Sequence, residues 1–111
     1  MIEFIYKKLI GEWVIDSSDI QAIERFGVVT MEFKENGILI YRNHNPDKTI
    51  VSLLVFSIDD TFIITNQPSS PKEERTAYGF IEDGKLMLTL GKQRSLFIKV
   101  APGRQNEESH R

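Results

Sequence analysis

The stretch "LIGEWVID" (residues 9–16) places a glycine and a tryptophan, one residue apart, in front of a short β-branched run. Val14 and Ile15 follow Trp13 directly, and β-branched and aromatic side chains favour extended strands. A glycine just before such a run is typical of a turn. We therefore predict that a first strand begins near residue 11 and that Trp13 is buried close to its start.

Turn-forming segments recur at short intervals along the rest of the chain. They are "KENG" (34–37), "NHNPDK" (43–48), "DD" (59–60), "NQPSSPKEE" (66–74), "EDGK" (82–85) and "GKQ" (91–93). The intervening runs are rich in Val, Ile, Thr, Phe and Tyr, as antiparallel strands are. Strands are predicted at 11–16, 28–34, 38–43, 49–58, 61–66, 75–82, 85–90 and 94–100. The predicted fold is all-β, an eight-stranded antiparallel up-and-down barrel, because closure removes unpaired strand edges.

One segment departs from this pattern, "SSDIQAIERFG" (residues 17–27), which predicts a short helix between the first two strands. Ser18 and Gln21 have capping-box spacing, and Gly27 is suited to end the helix. The first eight residues are expected to form a helical turn that plugs one barrel end, anchored by Phe4 and Leu9. Residues 1–100 are predicted to form the barrel domain, and residues 101–111 a flexible tail.

Length and composition limit the functions to consider. A chain of 111 residues predicts one domain, and a net charge of −2 gives no reason to expect nucleic-acid binding. There is no cysteine, which excludes disulfides and thiolate chemistry, and no apolar run approaches the ~18 residues that a membrane span requires. The start of the chain lacks a secretory pattern, so a cytoplasmic location is expected.

Alternation of apolar residues predicts which side chains face the interior. Met31 and Phe33 share one face, and across an Asn36–Gly37 turn Ile38 and Ile40 are expected to continue it. Tyr78 and Phe80 are expected to meet the alternating leucines 86, 88 and 90 if the loop at 83–84 has three residues with a glycine bulge. A two-residue loop would reverse that pairing. The run 49–58 is apolar on both faces, so a helix or a partner is expected to cover one of them.

Three segments together resemble the lipocalins and their small bacterial lipocalin-like, calycin-type relatives. "LIGEW" resembles their Gly-x-Trp opening, "MEFKENGILIY" their early hairpin, and "IEDGKLMLTLGKQRSLFIKV" their closing hairpin. The resemblance covers residues 9–100 and implies a barrel with one plugged end, one open end and an apolar ligand inside. It also implies that Trp13 is a structural plug lying under a basic residue of the last strand. Lys99 matches that position best, with Arg94 a poorer candidate, and a lysine in place of the family's arginine favours the short lipocalin-like group.

Residues suited to catalysis or metal binding are sparse. His44 lies in a turn-forming segment and His110 in the predicted tail, so neither has the converging partners that a metal site or a catalytic triad requires. The acidic pairs at 59–60 and 73–74 fall in turns. No phosphate-binding glycine loop is present. We predict no catalytic residues, no metal, no cofactor and no enzymatic activity.

Two functions remain open. The first is binding of a small apolar or amphipathic ligand inside the barrel, with Arg42 near the mouth to meet an anionic head group. The predicted ligand-binding residues are Met31, Phe33, Ile40, Arg42, Phe56, Tyr78, Phe80 and Leu88. A packed core is the alternative interpretation of the bulky residues among them.

The second function is that of a small cytosolic protein-binding module, such as an inhibitor, an immunity protein or an adaptor. Leu39, Tyr41 and Phe97 are predicted to lie on the outer face, where they would form an exposed apolar patch. The same patch would serve a protein partner or a homodimer.

Overall fold

The computed structural model describes residues 2–69 and 71–100 and shows a closed barrel of eight antiparallel strands. Each strand pairs with its neighbours in sequence, and the last pairs with the first. The elements are α1 (Ile2–Leu9), β1 (Gly11–Ile15), α2 (Ile20–Phe26), β2 (Val28–Phe33), β3 (Ile38–His44), β4 (Thr49–Ile58), β5 (Phe62–Asn66), β6 (Glu74–Phe80), β7 (Leu86–Leu90) and β8 (Gln93–Lys99). The predicted up-and-down barrel, with a short helix between its first two strands, is confirmed. The predicted tail at 101–111 lies outside the described residues.

Helix α1 lies at the end of the barrel where β1 begins. Its last residue, Leu9, is fully buried, and its carbonyl accepts a 2.8 Å hydrogen bond from the indole N–H of Trp13. The ring of Tyr6 stacks on that of Phe56 at 5.6 Å. The expectation for Phe4 was wrong: 68% of this residue is exposed, so Leu9 and Tyr6 anchor the helix instead.

Strand β1 is shorter than the two strands that flank it, and helix α2 takes its place beyond Ile15. β1 pairs with β2 only at residues 30–33 and with β8 only at residues 97–99. Beyond this point the N–H of Asp16 donates to the Leu96 carbonyl, and the N–H of Leu96 donates to a carboxylate oxygen of Asp19. Since Asp19 precedes α2 directly, these bonds fasten the helix over the gap between β2 and β8.

The ends of α2 differ in part from the predicted capping. Asp19, rather than Ser18, caps the helix by accepting a hydrogen bond from the N–H of Ala22. Ser18 instead donates its N–H and its hydroxyl to Asp16. Gly27 ends the helix as predicted, with a φ of +82° and its N–H donating to the Ile23 carbonyl.

The β2–β3 hairpin has a longer loop than we expected from the Asn36–Gly37 turn. The N–H of Lys34 donates to the Ile38 carbonyl, which leaves a three-residue loop with Gly37 at a φ of +85°. One additional residue in the loop moves every following side chain of β3 to the opposite face of the sheet. Leu39 and Tyr41 therefore face the interior, opposite Phe33 and Met31.

This register corrects two of the predicted ligand-binding residues. Ile40 and Arg42 alternate with Leu39 and Tyr41 along β3, so they lie on the outer face. The β6–β7 hairpin, in contrast, has the three-residue loop that we expected: the N–H of Ile81 donates to the Lys85 carbonyl. Its register sets Tyr78 opposite Leu88 and Phe80 opposite Leu86, as predicted.

The predicted outer apolar patch does not exist, because its three members are interior residues. Phe97 is fully buried and pairs with Ile15 on one side and Leu86 on the other. Leu39 is buried and Tyr41 half-buried, both through the β3 register. The buried apolar core consists of Leu9, Trp13, Ile15, Ala22, Val29, Met31, Phe33, Leu39, Phe56, Ile63, Leu86, Leu88 and Phe97.

Candidate ligand-binding site in the barrel interior

A cavity of about 120 Å³ lies inside the barrel, between the apolar core and the end opposite α1. Its wall is built by side chains from six strands, β2 to β7. They are Met31, Phe33, Leu39, Tyr41, Leu54, Ile63, Thr65, Glu74, Thr76, Leu88 and Leu90. The volume is close to that of the ~150 Å³ apolar cavity that admits benzene in another protein.

Aromatic rings fill the half of the barrel below the cavity. Phe33 and Phe56 pack edge to face at 5.0 Å, and Tyr78 and Phe80 do so at 6.1 Å. The hydroxyl of Tyr78 donates a 2.7 Å hydrogen bond to the carbonyl of Asp59 in the β4–β5 loop, which holds the ring in place. Of these four residues only Phe33 lines the cavity, and the other three rings pack behind it in the part of the barrel nearer α1.

Polar side chains lie at the mouth of the cavity. Thr65 and Glu74 are cross-strand partners on β5 and β6, and Thr76 follows on the same face of β6. Glu74 is the only charged residue that lines the cavity. In the described part of the chain it forms no ion pair, since Arg75 pairs with Glu73 instead. The wall is thus apolar at depth and carries two hydroxyls and one carboxylate at its entrance.

Tyr41 is the other polar group in the wall. Burial raises the pKa of its hydroxyl above the ordinary value, so the group is neutral at physiological pH. A neutral phenol both donates and accepts a hydrogen bond. The cavity therefore offers Tyr41, together with the two threonines, to a neutral polar atom of a ligand.

A groove of about 470 Å³ adjoins this mouth. Residues 74, 76 and 90 line both the groove and the cavity, so the two lie side by side. The far side of the groove is formed by Arg25 and Phe26 at the end of α2, where the guanidinium lies 5.8 Å from the centre of the Phe26 ring. The last turn of α2 therefore lies beside the entrance to the cavity.

The predicted ligand-binding residues fall into three groups in the structure. Met31, Phe33 and Leu88 line the cavity, and Phe56, Tyr78 and Phe80 pack behind it in the part of the barrel nearer α1. Ile40 and Arg42 are on the outer face, where the Arg42 guanidinium pairs with Glu32 at 3.7 Å. Because Arg42 lies on the outer face, it is not placed to contact a head group inside the barrel, so that part of the prediction was wrong.

Sequence reasoning did not single out several of the lining residues. Leu39 and Tyr41 were assigned to the wrong face by the loop length, and Leu54 lies on a strand that is apolar on both faces. Thr65, Glu74 and Thr76 carry no apolar signal that marks them as interior. The register that pairs Thr65 with Glu74 sets Thr76 opposite the buried Ile63 and leaves Glu74 exposed at the rim.

The plugged end contains the residues to which we assigned a structural role. Trp13 is fully buried, and the Lys99 amine lies 5.5 Å from the centre of its ring. The same amine donates a 3.0 Å hydrogen bond to the Lys8 carbonyl at the end of α1, and burial lowers its pKa. Trp13 and Lys99 thus join α1 to the first and last strands.

A larger groove, about 520 Å³, lies outside the barrel beside α1. It is lined by Glu3, Tyr6, Lys7, Ile10 and Glu35, so three of its five residues are charged and solvated. Ligand sites are predominantly apolar with a few convergent polar groups. The interior cavity matches that description better, and we take it as the candidate site.

The described residues contain no candidate metal centre at this site. Within residues 2–69 and 71–100 no cluster of three or more His, Asp or Glu side chains could hold a metal. His44 lies on the outer face of β3, with its ring nitrogens 3.0 and 3.2 Å from the hydroxyls of Thr30 and Thr49. Among the helices described, none has the length and hydropathy of a membrane span.

Comparison of the chain with protein-family models, with curated proteins and with solved structures finds no match. The architecture itself is of a kind that holds small ligands. An eight-stranded barrel has an interior just wide enough to be filled by side chains or to enclose one small molecule.

Proposed function

We propose that this protein binds a small amphipathic molecule inside its barrel, with the apolar part in the cavity and a polar end at the mouth. The observation that carries the proposal is the gradient along the cavity wall, from apolar side chains such as Met31, Phe33 and Leu88 to Thr65, Thr76 and Glu74. Burial of apolar surface supplies the main free energy of such binding, and the few polar groups orient the ligand.

The size and charge of the site restrict the ligand. About 120 Å³ accommodates a short aliphatic chain or a single small ring, but not a long fatty acid. The one charge in the wall is the carboxylate of Glu74, which favours a cationic or neutral head group and disfavours an anionic one. We therefore propose a short-chain amine or alcohol as the class of ligand.

The role is proposed to be non-catalytic, and the chain to be a lipocalin-like protein. Support for the family comes from the plugged end: a Gly-x-Trp sequence opens β1, and a basic side chain of β8 lies over the indole of Trp13. Support for a binding role is the largely apolar wall of the cavity, in which Glu74 is the one charged residue.

Calorimetric titration with three probes of one chain length tests the proposal: butylamine, 1-butanol and butyrate. We expect butylamine to bind with a Kd on the order of 0.1–1 mM, which is typical of so small a ligand. Butanol should bind more weakly and butyrate more weakly still. Equal affinities for all three would contradict the assigned role of Glu74, and no binding of any probe would contradict the proposed function.

Two neighbouring variants on β6 locate the binding. Thr76→Phe adds a ring on the cavity wall and should abolish butylamine binding. Ala77→Phe, one residue along the same strand and on the opposite face, is the matched control and should leave the Kd within about two-fold. Loss of binding in both variants, or in neither, would contradict binding in the cavity.

A further inference from the structure

Two of the three tyrosines in the chain have a clear structural use for the hydroxyl group. The Tyr6 hydroxyl donates a 3.0 Å hydrogen bond to the Glu35 carbonyl, which joins α1 to the β2–β3 loop. The Tyr78 hydroxyl donates a 2.7 Å hydrogen bond to the Asp59 carbonyl in the β4–β5 loop. Each of these phenols uses its proton to fasten one element of the fold to another.

Tyr41 is the third tyrosine, and its hydroxyl has no such partner. Within residues 2–69 and 71–100 no group forms a hydrogen bond with it. The side chain is nevertheless half-buried and lines the interior cavity. Burial raises its pKa, so the hydroxyl keeps its proton at neutral pH and is able to donate. A desolvated donor without an acceptor costs free energy, which a bound molecule recovers if it accepts the hydrogen bond.

Tyr41 and Glu74 both lie toward the open end of the cavity. The β2–β3 loop contacts α1, so β3 runs away from that helix and Tyr41 lies farther from it than Leu39. The Lys8 amine of α1 lies 4.4 Å from the centre of the Phe80 ring at the end of β6, so Glu74 at the start of β6 is at the other end. Since β3 and β6 are not neighbours, a carboxylate and a phenol approach the mouth from different parts of the wall.

The two groups make different demands on the polar end of a ligand. A carboxylate only accepts hydrogen bonds, so an ammonium group satisfies Glu74. An ammonium group has no lone pair, however, and therefore leaves the Tyr41 proton without an acceptor. A hydroxyl oxygen supplies that acceptor. Sites with a donor of this kind discriminate against a ligand that leaves the donor unpaired.

We propose that Tyr41 is a specificity-determining residue of the cavity, which selects a ligand that carries a neutral oxygen beside its amine. This inference rests on the proposed function and narrows its ligand class to short-chain amino alcohols. The amine contacts Glu74, the hydroxyl oxygen accepts the Tyr41 proton, and the remaining carbon chain packs against Met31, Phe33 and Leu88.

Calorimetric titration of two ligands against two proteins tests the inference. Butylamine and racemic 1-amino-2-butanol share one carbon chain and differ by a single hydroxyl on the carbon next to the amine-bearing one. Tyr41→Phe removes the phenol oxygen and keeps the ring. We expect the wild type to bind the amino alcohol about 5-fold more tightly than butylamine, the usual effect of one additional hydrogen bond. Tyr41→Phe should remove this preference and change the Kd of butylamine by less than about 2-fold.

Tyr6→Phe is the matched control, because it removes the same atom from a tyrosine outside the cavity. It should keep the preference for the amino alcohol. Equal affinities of the wild type for the two ligands overturn the inference without any variant. A preference that persists in Tyr41→Phe, or that Tyr6→Phe loses to the same extent, overturns it as well. In each of these cases butylamine binding still supports the proposed function, whereas a wild type that binds neither ligand overturns both.

Discussion

A β-carbon placed on Gly11 would lie 2.8 Å from Cε of Lys99. The lysine stem passes over the glycine on its way to the indole of Trp13 and the last carbonyls of α1. Gly11 also has a φ of +130°, which other residues rarely adopt. The glycine of the Gly-x-Trp sequence therefore has a physical reason: a side chain here would be strained by the positive φ and would displace the end of Lys99, which covers the tryptophan.

Replacement of this glycine should destabilise the plugged end. We expect Gly11→Ala to lower the free energy of unfolding by about 1–3 kcal/mol, through backbone strain and contact with Lys99. Urea denaturation measures the change. Gly84→Ala is the control, because Gly84 also has a positive φ but no atoms near its missing β-carbon, so its cost should be smaller. A Gly11→Ala variant as stable as the wild type would contradict this account of the motif.

The pH dependence of stability should reveal the ion pair between Asp16 and Lys85. The two groups lie 2.8 Å apart, and hydrogen bonds from Lys85 and from Ser18 lower the pKa of Asp16 from 3.8 to about 2. Because the folded pKa lies below the unfolded value, this stabilisation is complete above pH 3.8 and disappears as the pH falls toward 2. The pair connects the segment after β1 to the start of β7.

The variant Asp16→Asn isolates the contribution of the Asp16–Lys85 ion pair to stability. At pH 7 we expect it to cost roughly 1–3 kcal/mol, the usual effect of leaving hydrogen-bonded groups without a charged partner. The difference between wild type and variant should shrink between pH 4 and pH 2, as urea unfolding at several pH values would show. A difference that is constant down to pH 2 would mean that Asp16 does not titrate as described.

Alanine variants of two adjacent residues test the register of β3. Leu39 is buried in the barrel, whereas Ile40 is half-buried on the outer face. Leu39→Ala should cost about 2–5 kcal/mol, as large-to-small changes in a core do. Ile40→Ala should cost about 1 kcal/mol or less when measured by urea unfolding of dilute protein. If Ile40→Ala cost more stability than Leu39→Ala, the two-residue turn that we predicted from the sequence would be correct instead.

Ser95 offers a test of a buried polar group. Its hydroxyl is fully buried and has no hydrogen-bond partner among the described residues. Because an unsatisfied buried hydroxyl is costly, Ser95→Ala should leave stability unchanged or raise it by up to about 1 kcal/mol. Thermal unfolding of the wild type and of Ser95→Ala measures the difference in stability. Destabilisation by more than this amount would indicate that the hydroxyl has a partner in solution.

The two hairpins with acidic, glycine-containing turns show how far sequence reasoning could reach. Both have three-residue loops, closed by Lys34 with Ile38 and by Ile81 with Lys85. Alternation predicted all eight strands, but loop length decides which set of side chains faces inward. For the second hairpin we weighed the glycine bulge and obtained the correct faces. For the first we assumed a tight Asn-Gly turn and placed Ile40 and Arg42 inside.

Other features of the site had no local signal in the sequence. The early end of β1 and the role of α2 in filling the gap depend on how neighbouring strands extend past Ile15. Thr65 and Thr76 are equally compatible with an inner or an outer face, so only the closed topology places them at the cavity. The burial of Trp13 at the plugged end was easier to predict, because a large aromatic residue at the start of a strand is usually buried.

Methyl NMR of the protein during titration with butylamine tests the central claim most directly, because it shows where the ligand lies. We expect the largest shifts at Leu54, Ile63 and Leu88, whose methyl groups line the interior cavity. Ile10, in the outer groove beside α1, should not change. Shifts confined to Ile10, or no shifts at the three interior residues up to millimolar butylamine, would contradict binding inside the barrel.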